Sequence, residues 1–436
     1  MLAILGLAAA GYALTLHVFY PGYMTNDAGF VYRFMNEWSF GDWQSPLMSM
    51  IWWVVDPIAP GTGSMFLLTA SLYWIAFGLL ALTLARGSPW LGIAVPVLAL
   101  APPAVMLLAM IWRDVLFAGI WLLAASIAFA ATSAGAWTRR VAQALAAALV
   151  ALGVLLRPNA VVAAPLLLAY VAWPTGFRWK RAALLFLPAL AGGYALIQIT
   201  YYGIIGVTRE HPERSVMVFD LGGITHFSGQ NQFPVAWTPE QSALVLGCCY
   251  NPERWDSYWT MEPCKFVMQR LEAEKIFTAP ELVRAWMRAI AAHPFLYLRH
   301  RATYMWTFLG EANLTLERFH IDDPAHTPLA RNPAFQAVLG WHRQIERTIP
   351  FRTGFWLVLA AVACGAAWPA RNTPSGALAV GLTGSAILYV ATFFPIGVAA
   401  EFRYGYWCVL ATLAGGAAAV AARRAVSALP GDSAAS

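Results

Sequence analysis

Charged side chains are scarce in this sequence. Only 11% of its 436 residues are Asp, Glu, Lys or Arg, whereas a typical soluble domain has about 25%. This scarcity excludes an ordinary water-soluble protein, and the 59% share of hydrophobic residues indicates a chain that lies in a membrane. Polybasic tails are also lacking and the formal net charge is only +6, so we expect no nucleic-acid partner.

Long apolar segments recur along the chain, without the alternation typical of a membrane β-barrel. A helix that crosses a bilayer needs about 20 apolar residues. Such segments lie at about 2–20, 64–85, 90–111, 115–132, 141–156, 159–173, 183–205, 354–370, 376–396 and 403–422. They predict an all-α polytopic membrane protein with about ten transmembrane helices, the first of which is retained because no cleavage site follows it.

Basic residues in the short loops predict the orientation of these helices. With the N-terminus in the cytoplasm, the positive-inside rule holds throughout. The inner basic residues are then Arg86, Arg139, Arg140, Arg178, Lys180, Arg181, Arg371, Arg423 and Arg424. We therefore expect a protein of the bacterial inner membrane whose site faces the periplasm.

Three regions follow from this arrangement. Residues 1–205 form an N-terminal transmembrane core, whose first outer loop is 21–63. A polar outer segment at 206–352 is inserted before the last three helices, and 353–436 holds those helices and a short cytoplasmic tail.

Shorter patterns give local predictions. The run "MSMIWWVV" at 48–55 is too short to span and predicts an interfacial helix with Trp52 and Trp53 at headgroup depth. Helical patterns lie at 279–292, with Pro280 in an early position, and at 294–309. The Gly-rich stretch "FDLGGITHFSGQNQFP" at 219–234 predicts a loop, which either binds an acceptor or only connects elements.

Cysteine is rare, with five residues in the chain. Cys248, Cys249 and Cys264 lie in the outer segment, where an oxidising periplasm allows one disulfide, most simply between Cys264 and one of the adjacent pair. Three free thiols and a metal site are the alternatives. The histidines of this segment lack metal-like spacing and are interpreted as surface or structural residues: His211, His226, His293, His300, His320, His326 and His342.

Polar and charged residues gather at the outer ends of the predicted helices. An ionisable group at membrane depth is costly and usually marks a substrate path or a paired structural site. The residues that share this end are Asn26, Asp27, Arg113, Asp114, Arg157, Asn159, Glu401, Arg403 and Tyr404. They predict one outward-facing cavity that suits an anionic lipid with its phosphate at headgroup level.

Such a cavity can transfer a sugar from a polyprenyl-phosphate donor. A carboxylate takes the proton of an acceptor hydroxyl as it attacks the anomeric carbon. The leaving phosphate monoester is already an anion and needs charge stabilisation, which Arg provides through bidentate hydrogen bonds.

Four short motifs carry a resemblance to a known superfamily. They are "TNDAGFVYRF" after the first helix, "RD" at 113–114, "RPN" at 157–159 and "EFRY" at 401–404. In their order and common sidedness they resemble the polytopic GT-C glycosyltransferases, such as protein O-mannosyltransferases, lipid A aminoarabinose transferases and mycobacterial arabinosyltransferases. In size and layout the chain is similar to serotype-converting glucosyltransferases of O-antigen clusters.

The resemblance implies roles for single residues. Asp27 is then the general base and Asp114 its acidic companion. The candidates for donor phosphate binding are Arg403, Arg157 and Arg113, and those for other substrate contacts are Asn26, Asn159, Glu401 and Tyr404. The segment "FGDWQSPLMSMIW" at 40–52 resembles the stretch that follows the catalytic Asp, with Gln44 opening a Gln-Ser-Pro-Leu sequence where His-Pro-Pro-Leu is commoner.

Each residue also has a structural interpretation. Asp27 could cap a short helix, because Thr25, Asn26 and Asp27 are all good N-cap residues. Arg113 and Asp114 could pair only with each other at an exposed turn.

The remaining charged residues have similar alternatives. Arg157 could reach lipid headgroups, and Glu401 and Arg403 could form a structural ion pair.

The sequence leaves three functions open. The first is an inverting glycosyltransferase with a polyprenyl-phosphate sugar as donor and a glycan or lipid as acceptor. The second is a lipid-linked sugar flippase or transporter, in which the same charges line a path. The third is an O-antigen polymerase or ligase with a diphosphate-linked donor. We expect no obligatory cofactor, although Asp27 and Asp114 could share a divalent cation.

Overall fold

The computed structural model describes residues 1–310 and 329–427. His320, His326 and the end of the C-terminal tail lie outside the described residues. Within those two ranges every regular element is helical, and extended segments meet only at isolated bridges such as Tyr23 with Met110. The prediction of an all-helical chain is confirmed.

The helices are numbered in chain order. Those of the first half are α1 (Leu2–Phe19), α2 (Asn26–Glu37), α3 (Pro46–Val55), α4 (Thr62–Ala85), α5 (Pro89–Leu98), α6 (Pro102–Val105), α7 (Arg113–Ala130), α8 (Ala136–Leu156), α9 (Ala164–Ala172) and α10 (Trp179–Gln198). Those of the second half are α11 (Arg214–Ser228), α12 (Pro239–Gly247), α13 (Phe266–Ala273), α14 (Pro280–Ala292), α15 (Pro294–Gly310), α16 (Pro333–Ile345), α17 (Thr353–Ala367), α18 (Pro374–Ile396) and α19 (Tyr406–Ser427).

Eight helical segments of the described chain are long and apolar enough to cross a membrane, counting short turns that extend some of them. They are built on α1, α4, α7, α8, α10, α17, α18 and α19. The pair α5 and α6 raises the count to nine if it is one span bent by 56°. These helices are typical of a membrane-embedded protein.

Two predicted spans differ from this set because proline interrupts them. The segment predicted at 90–111 contains Pro96, Pro102 and Pro103, and it breaks between α5 and α6. The segment predicted at 159–173 divides between the 3-10 turn Pro158–Val162 and the nine-residue α9, which has Pro165 in its first turn. Proline removes a backbone donor and clashes with the preceding turn, so neither segment is one straight helix.

The basic loops meet at one end of the bundle. Here the backbone nitrogen of Phe177 donates to the carbonyl oxygen of Arg371 at 2.7 Å. The guanidinium carbon of Arg424 lies 4.5 Å from the ring centroid of Trp90. We call this the basic end; the opposite end, where α7 and the α19 segment begin, is the site end.

The central helices α4, α7, α18 and α19 are the most buried, and α10 is the most exposed. Between apolar helices in lipid, packing and hydrogen bonds replace the hydrophobic effect as the source of association. Trp74 donates its indole N–H to Thr15 Oγ1 at 2.9 Å, and Trp121 donates to the Val150 carbonyl at 3.0 Å. These bonds fix α1 against α4 and α7 against α8.

The loop between α1 and α4 folds into two short helices. The ten-residue α3 is too short to span, as predicted. Trp53 is exposed, but Trp52 is fully buried and donates to the Gly61 carbonyl at 3.1 Å. The Trp52 indole therefore contacts protein and not lipid, while the predicted headgroup depth of the two indoles stays a prediction.

In its described part, the segment between α10 and α17 carries six further α-helices, α11 to α16. The two predicted helical patterns correspond to α14, which begins at Pro280, and α15. The loop predicted over 219–234 is wrong for its first part, which is helical to Ser228 within α11. Gly222 and Gly223 serve close packing instead of a turn, because any side chain there would collide with Tyr258 or His300.

Candidate active site

Asp27 lies in the first turn of α2. The helix is capped by Thr25, whose Oγ1 accepts a hydrogen bond from the backbone nitrogen of Ala28 at 3.1 Å. Asp27 is therefore not the cap, and its side chain is 40% exposed. A helix N-terminus favours a carboxylate through its unpaired N–H groups and dipole.

Two side chains bind the Asp27 carboxylate. Arg403 Nη1 lies 2.5 Å from Oδ2, and Gln44 Nε2 donates to Oδ1 at 3.2 Å. Burial raises the pKa of Asp27, but the charges of Arg403 and Arg113 and the two hydrogen bonds outweigh burial and hold this pKa below its usual range. The carboxylate is consequently ionised at neutral pH.

Arg403 stands at the start of the α19 segment and has several partners. It pairs with Glu401 as well as with Asp27. Its guanidinium carbon lies 4.5 Å from the ring centroid of Trp112 and 5.0 Å from that of Tyr404. Two carboxylates and two aromatic rings thus hold one guanidinium group at the site end.

Asp114 pairs with Arg157, not with its neighbour Arg113. The Asp114 Oδ1 to Arg157 Nε distance is 3.0 Å, and the two side chains are only 3% and 8% exposed. Arg157 also donates to the Tyr389 hydroxyl at 3.3 Å and lies 4.8 Å from the ring centroid of Tyr404. The exposed Arg113–Asp114 pair is excluded, as is a headgroup-exposed Arg157.

A narrow cavity of about 10 Å³ lies between these groups, which is the space of about one water molecule. Arg113 also lines it and donates Nη1 to the Trp43 carbonyl at 3.3 Å. The lining residues are Asp27, Ala28, Val31, Gln44, Met48, Ile111, Trp112, Arg113, Asp114, Arg403 and Tyr404. We call this space the inner cavity.

Three of the predicted substrate contacts lie in three different environments. Glu401 holds Arg403, as described, and Asn159 interacts with the Tyr389 hydroxyl beside Arg157. Asn26 begins α2 with an exposed side chain and is not among the residues that line the inner cavity.

Sequence reasoning missed three of the contacts. Trp112 and Tyr389 lie in or next to apolar runs, where nothing marks them as partners of Arg403 and Arg157. Gln44 did have a signal, because it opens the Gln-Ser-Pro-Leu stretch that departs from the commoner sequence. Its role is to orient the Asp27 carboxylate.

A second and larger space of about 660 Å³ opens on the other face of Asp27. We call it the aromatic cleft. Its lining residues are Asp27, Phe30, Arg33, Phe34, Trp43, Gln44, Glu210, Trp255, Trp259, Met268, Glu272, Lys275, Phe277 and Thr278. None of them belongs to the eight spanning segments, whereas Arg113, Asp114, Arg403 and Tyr404 of the inner cavity do.

Hydrogen bonds join the segment at 206–352 to the residues that precede Glu401 and Arg403. Residues 397–400 connect α18 to Glu401, and we call them the connector. Their backbone groups bond to the segment as follows: Arg301 Nη1 to the Gly397 carbonyl at 2.7 Å, the Trp255 nitrogen to the Val398 carbonyl at 2.8 Å, the Tyr304 hydroxyl to the Ala399 carbonyl at 3.1 Å, and the Ala400 nitrogen to the Glu253 carbonyl at 2.6 Å.

A buried ionic cluster fixes Arg301 in that position. Asp220 Oδ1 lies 2.7 Å from Arg301 Nε and 3.3 Å from His300 Nε2, and these three side chains have no exposed surface. Trp286 donates to Asp220 at 2.7 Å. Burial outweighs the Asp220 charge and lowers the pKa of His300, so the imidazole is neutral and Asp220 balances Arg301.

Cys249 and Cys264 form a disulfide, and Cys248 is an exposed free thiol. The three sulfur atoms lie within 4.8 Å of one another. Two of them are bonded to each other and offer no thiolate, which is the form that binds zinc. The predicted pairing of Cys264 with one of the adjacent pair is thus made with Cys249.

Comparisons with protein families, with curated proteins and with solved structures find no match for this chain.

Proposed function

We propose that this protein is an inverting glycosyltransferase of the GT-C type, which moves a monosaccharide from a polyprenyl-phosphate donor to an acceptor. One observation carries the proposal. The Asp27 carboxylate lies between an inner cavity with two Arg at the ends of spanning helices and an open cleft outside those helices. The inner cavity holds about one water molecule, so a lipid phosphate would widen it as it displaces Asp27 from Arg403. An acceptor can reach the cleft from water.

The reaction is a single displacement at the anomeric carbon. Asp27 takes the proton of an acceptor hydroxyl while the hydroxyl oxygen forms the new glycosidic bond. The bond from the anomeric carbon to the phosphate oxygen breaks, and polyprenyl phosphate leaves with that electron pair. Arg403 and Arg113 stabilise its negative charge in a site of low dielectric constant.

Arg403 links binding of the donor to the basicity of Asp27. Its pairing with Asp27 keeps the carboxylate ionised but makes it a weak base, because the Arg403 charge lowers the Asp27 pKa. A donor phosphate competes with Asp27 for the same guanidinium group. Donor binding would therefore draw Arg403 away from Asp27 and raise the basicity of the carboxylate. Asp27 would then be a stronger base once the donor is bound and an acceptor can react.

Two features support a periplasmic site in a bacterial inner membrane. The basic loops lie at the opposite end from the site, as the positive-inside rule requires of cytoplasmic loops. The disulfide lies beside the site, and disulfides persist in oxidising compartments. Both acidic residues already have an Arg partner, so we propose that transfer needs no divalent cation.

The experiment is a transfer assay on the purified full chain in lipid nanodiscs. The donors are radiolabelled polyprenyl-phosphate monosaccharides, and the acceptors are cell-envelope glycans and lipids. Asp27→Asn keeps the size of the side chain and removes the base, so we expect transfer to fall by about 10²- to 10⁴-fold. Glu37→Gln, at the other end of α2, is the matched control and should transfer like the wild type.

The folded state of each variant is checked by its melting temperature and elution volume. Equal transfer by Asp27→Asn and wild type would remove Asp27 from the mechanism. Transfer only from a diphosphate-linked oligosaccharide would favour the polymerase or ligase function. Movement of the labelled lipid between leaflets without transfer would favour the flippase.

A further inference from the structure

Three tryptophans form one wall of the aromatic cleft. Trp43 comes from the loop between α2 and α3, and Trp255 and Trp259 come from the segment at 206–352. The ring centroids of Trp43 and Trp259 are 5.4 Å apart, and those of Trp255 and Trp259 are 5.4 Å apart with their planes at 25°. Trp259 is 41% exposed, whereas Trp255 is buried beneath it. The wall therefore presents indole surface to the cleft.

Covalent and hydrogen bonds hold this wall in place. The Cys249–Cys264 disulfide closes the loop that carries both Trp255 and Trp259. The backbone of Trp255 is bonded to the connector, and the backbone of Trp43 donates to Glu210 Oε2 at 3.1 Å. A binding surface that is ordered before its ligand arrives loses less entropy on binding.

The rest of the cleft lining combines phenylalanine and methionine side chains with charged groups of both signs. Glu210, Glu272, Arg33 and Lys275 line the cleft together with the Asp27 carboxylate. Its volume of about 660 Å³ lies within the about 300–1,000 Å³ of typical ligand pockets. A cleft that offers both aromatic surface and charged groups of both signs matches a ligand with one apolar face and many hydroxyls.

We propose that the aromatic cleft binds the acceptor and that this acceptor is a carbohydrate, a proposal that rests on the proposed glycosyl transfer. A pyranose ring presents C–H groups on one face, which pack against the electron-rich face of an indole. Its hydroxyls bond to the carboxylates and basic groups that line the same cleft. A sugar stacked on Trp259 can extend a hydroxyl of its chain toward Asp27, which lines the same cleft.

The lining distinguishes a carbohydrate from a lipid acceptor. A polyprenyl or acyl chain would need a groove that continues into the bilayer, between spanning helices. No lining residue of the cleft belongs to a spanning segment of the described chain. Four charged groups besides Asp27 would also lose hydration against a hydrocarbon chain without compensation.

The test measures binding of oligosaccharides directly, without transfer. The full chain in nanodiscs carries a fluorescent label and is applied to an array of tri- to hexasaccharides built from hexoses, deoxyhexoses and N-acetylhexosamines. The affinity of each hit is then measured in solution. We expect Trp259→Ala to weaken binding by about tenfold and Trp259→Phe to weaken it less, because a ring remains.

The matched control is Trp306→Ala, since Trp306 is also exposed but does not line the cleft. Unchanged binding by this variant supports the proposal. Binding of no oligosaccharide at millimolar concentration, or equal loss in both tryptophan variants, would overturn it. Saturable binding of a peptide or lipid acceptor that needs Trp259 would overturn it as well.

The two proposals fail in different ways. Oligosaccharide binding that needs Trp259, with no transfer from any donor, would support the cleft assignment and count against glycosyl transfer. Transfer to an acceptor that proceeds normally in Trp259→Ala would support glycosyl transfer and overturn the cleft assignment. Asp27→Asn should still bind the oligosaccharide while it fails to transfer sugar.

Discussion

Replacing Asp27 with asparagine should tighten the binding of a polyprenyl phosphate while it abolishes transfer. In the structure the guanidinium of Arg403 is already occupied by the Asp27 carboxylate, 2.5 Å away. A lipid phosphate must displace that carboxylate before it can bind Arg403. Removing the negative charge of Asp27 therefore removes a competitor and a source of repulsion.

The size of the effect follows from the exposure of the pair. Two unit charges 4 Å apart interact by about 1 kcal/mol at the dielectric constant of water and by about 4 kcal/mol at a value of about 20. The Asp27 side chain is 40% exposed, so we expect the lower part of this range, about 1–2 kcal/mol, or about 5- to 30-fold in affinity. Arg403 remains paired with Glu401 in the variant, which limits the gain.

The assay is equilibrium binding of tritiated polyprenyl phosphate to nanodisc-bound protein, with Glu37→Gln as control. Because the pKa of Asp27 lies below its usual range, the carboxylate is ionised throughout about pH 6 to 8. The phosphate monoester takes its second charge near about pH 6, so the two proteins are compared at about pH 8, where both charges are fixed. Weaker or unchanged binding by Asp27→Asn would refute the competition between carboxylate and phosphate. It would leave Arg403 as a structural partner of Asp27.

Two further predictions concern stability and the cleft. Asp114→Asn leaves the buried Arg157 charge without its carboxylate, and we expect a loss of about 3–5 kcal/mol, seen as a lower melting temperature in detergent; a wild-type melting temperature would contradict the buried pair. The double change Cys249→Ser and Cys264→Ser opens a loop with a sequence separation of 15, at a cost of about 3 kcal/mol. We expect it to weaken oligosaccharide binding but not polyprenyl phosphate binding, whereas Cys248→Ser should change neither; equal loss of both ligands would contradict this assignment.

Apolar runs predicted most of the helical core, and proline explains the main departures. The predicted boundaries of α1, α4, α17 and α18 lie within a few residues of the observed ones, because a run of about 20 apolar residues has few alternatives in a membrane protein. Hydropathy does not register a break, so the predicted spans run through the prolines at 102, 103 and 165. The loop prediction for 219–228 is wrong for the opposite reason. The glycines there are typical of a turn, but in the structure they allow close packing of a helix.

The gathering of charged residues at one end could also be predicted, but not their pairing. Sidedness assigns Asp27, Asp114, Arg157 and Arg403 to the same end of the bundle. It does not say which helices are neighbours, and therefore not that Arg157 meets Asp114 while Arg403 meets Asp27.

The aromatic cleft could not be predicted from the sequence, for a related reason. Its wall joins residues more than 200 positions apart, Trp43 and Trp255. Neither local composition nor orientation indicates that the segment at 206–352 folds back over the first loop.

Transfer of radiolabelled sugar by the purified wild-type chain, with Asp27→Asn and Glu37→Gln beside it, tests the central claim most directly. We predict transfer from a polyprenyl-phosphate monosaccharide by the wild type and by Glu37→Gln, and its loss in a folded Asp27→Asn protein. Transfer by all three proteins alike, or by none of them from any polyprenyl-phosphate donor, would contradict the account.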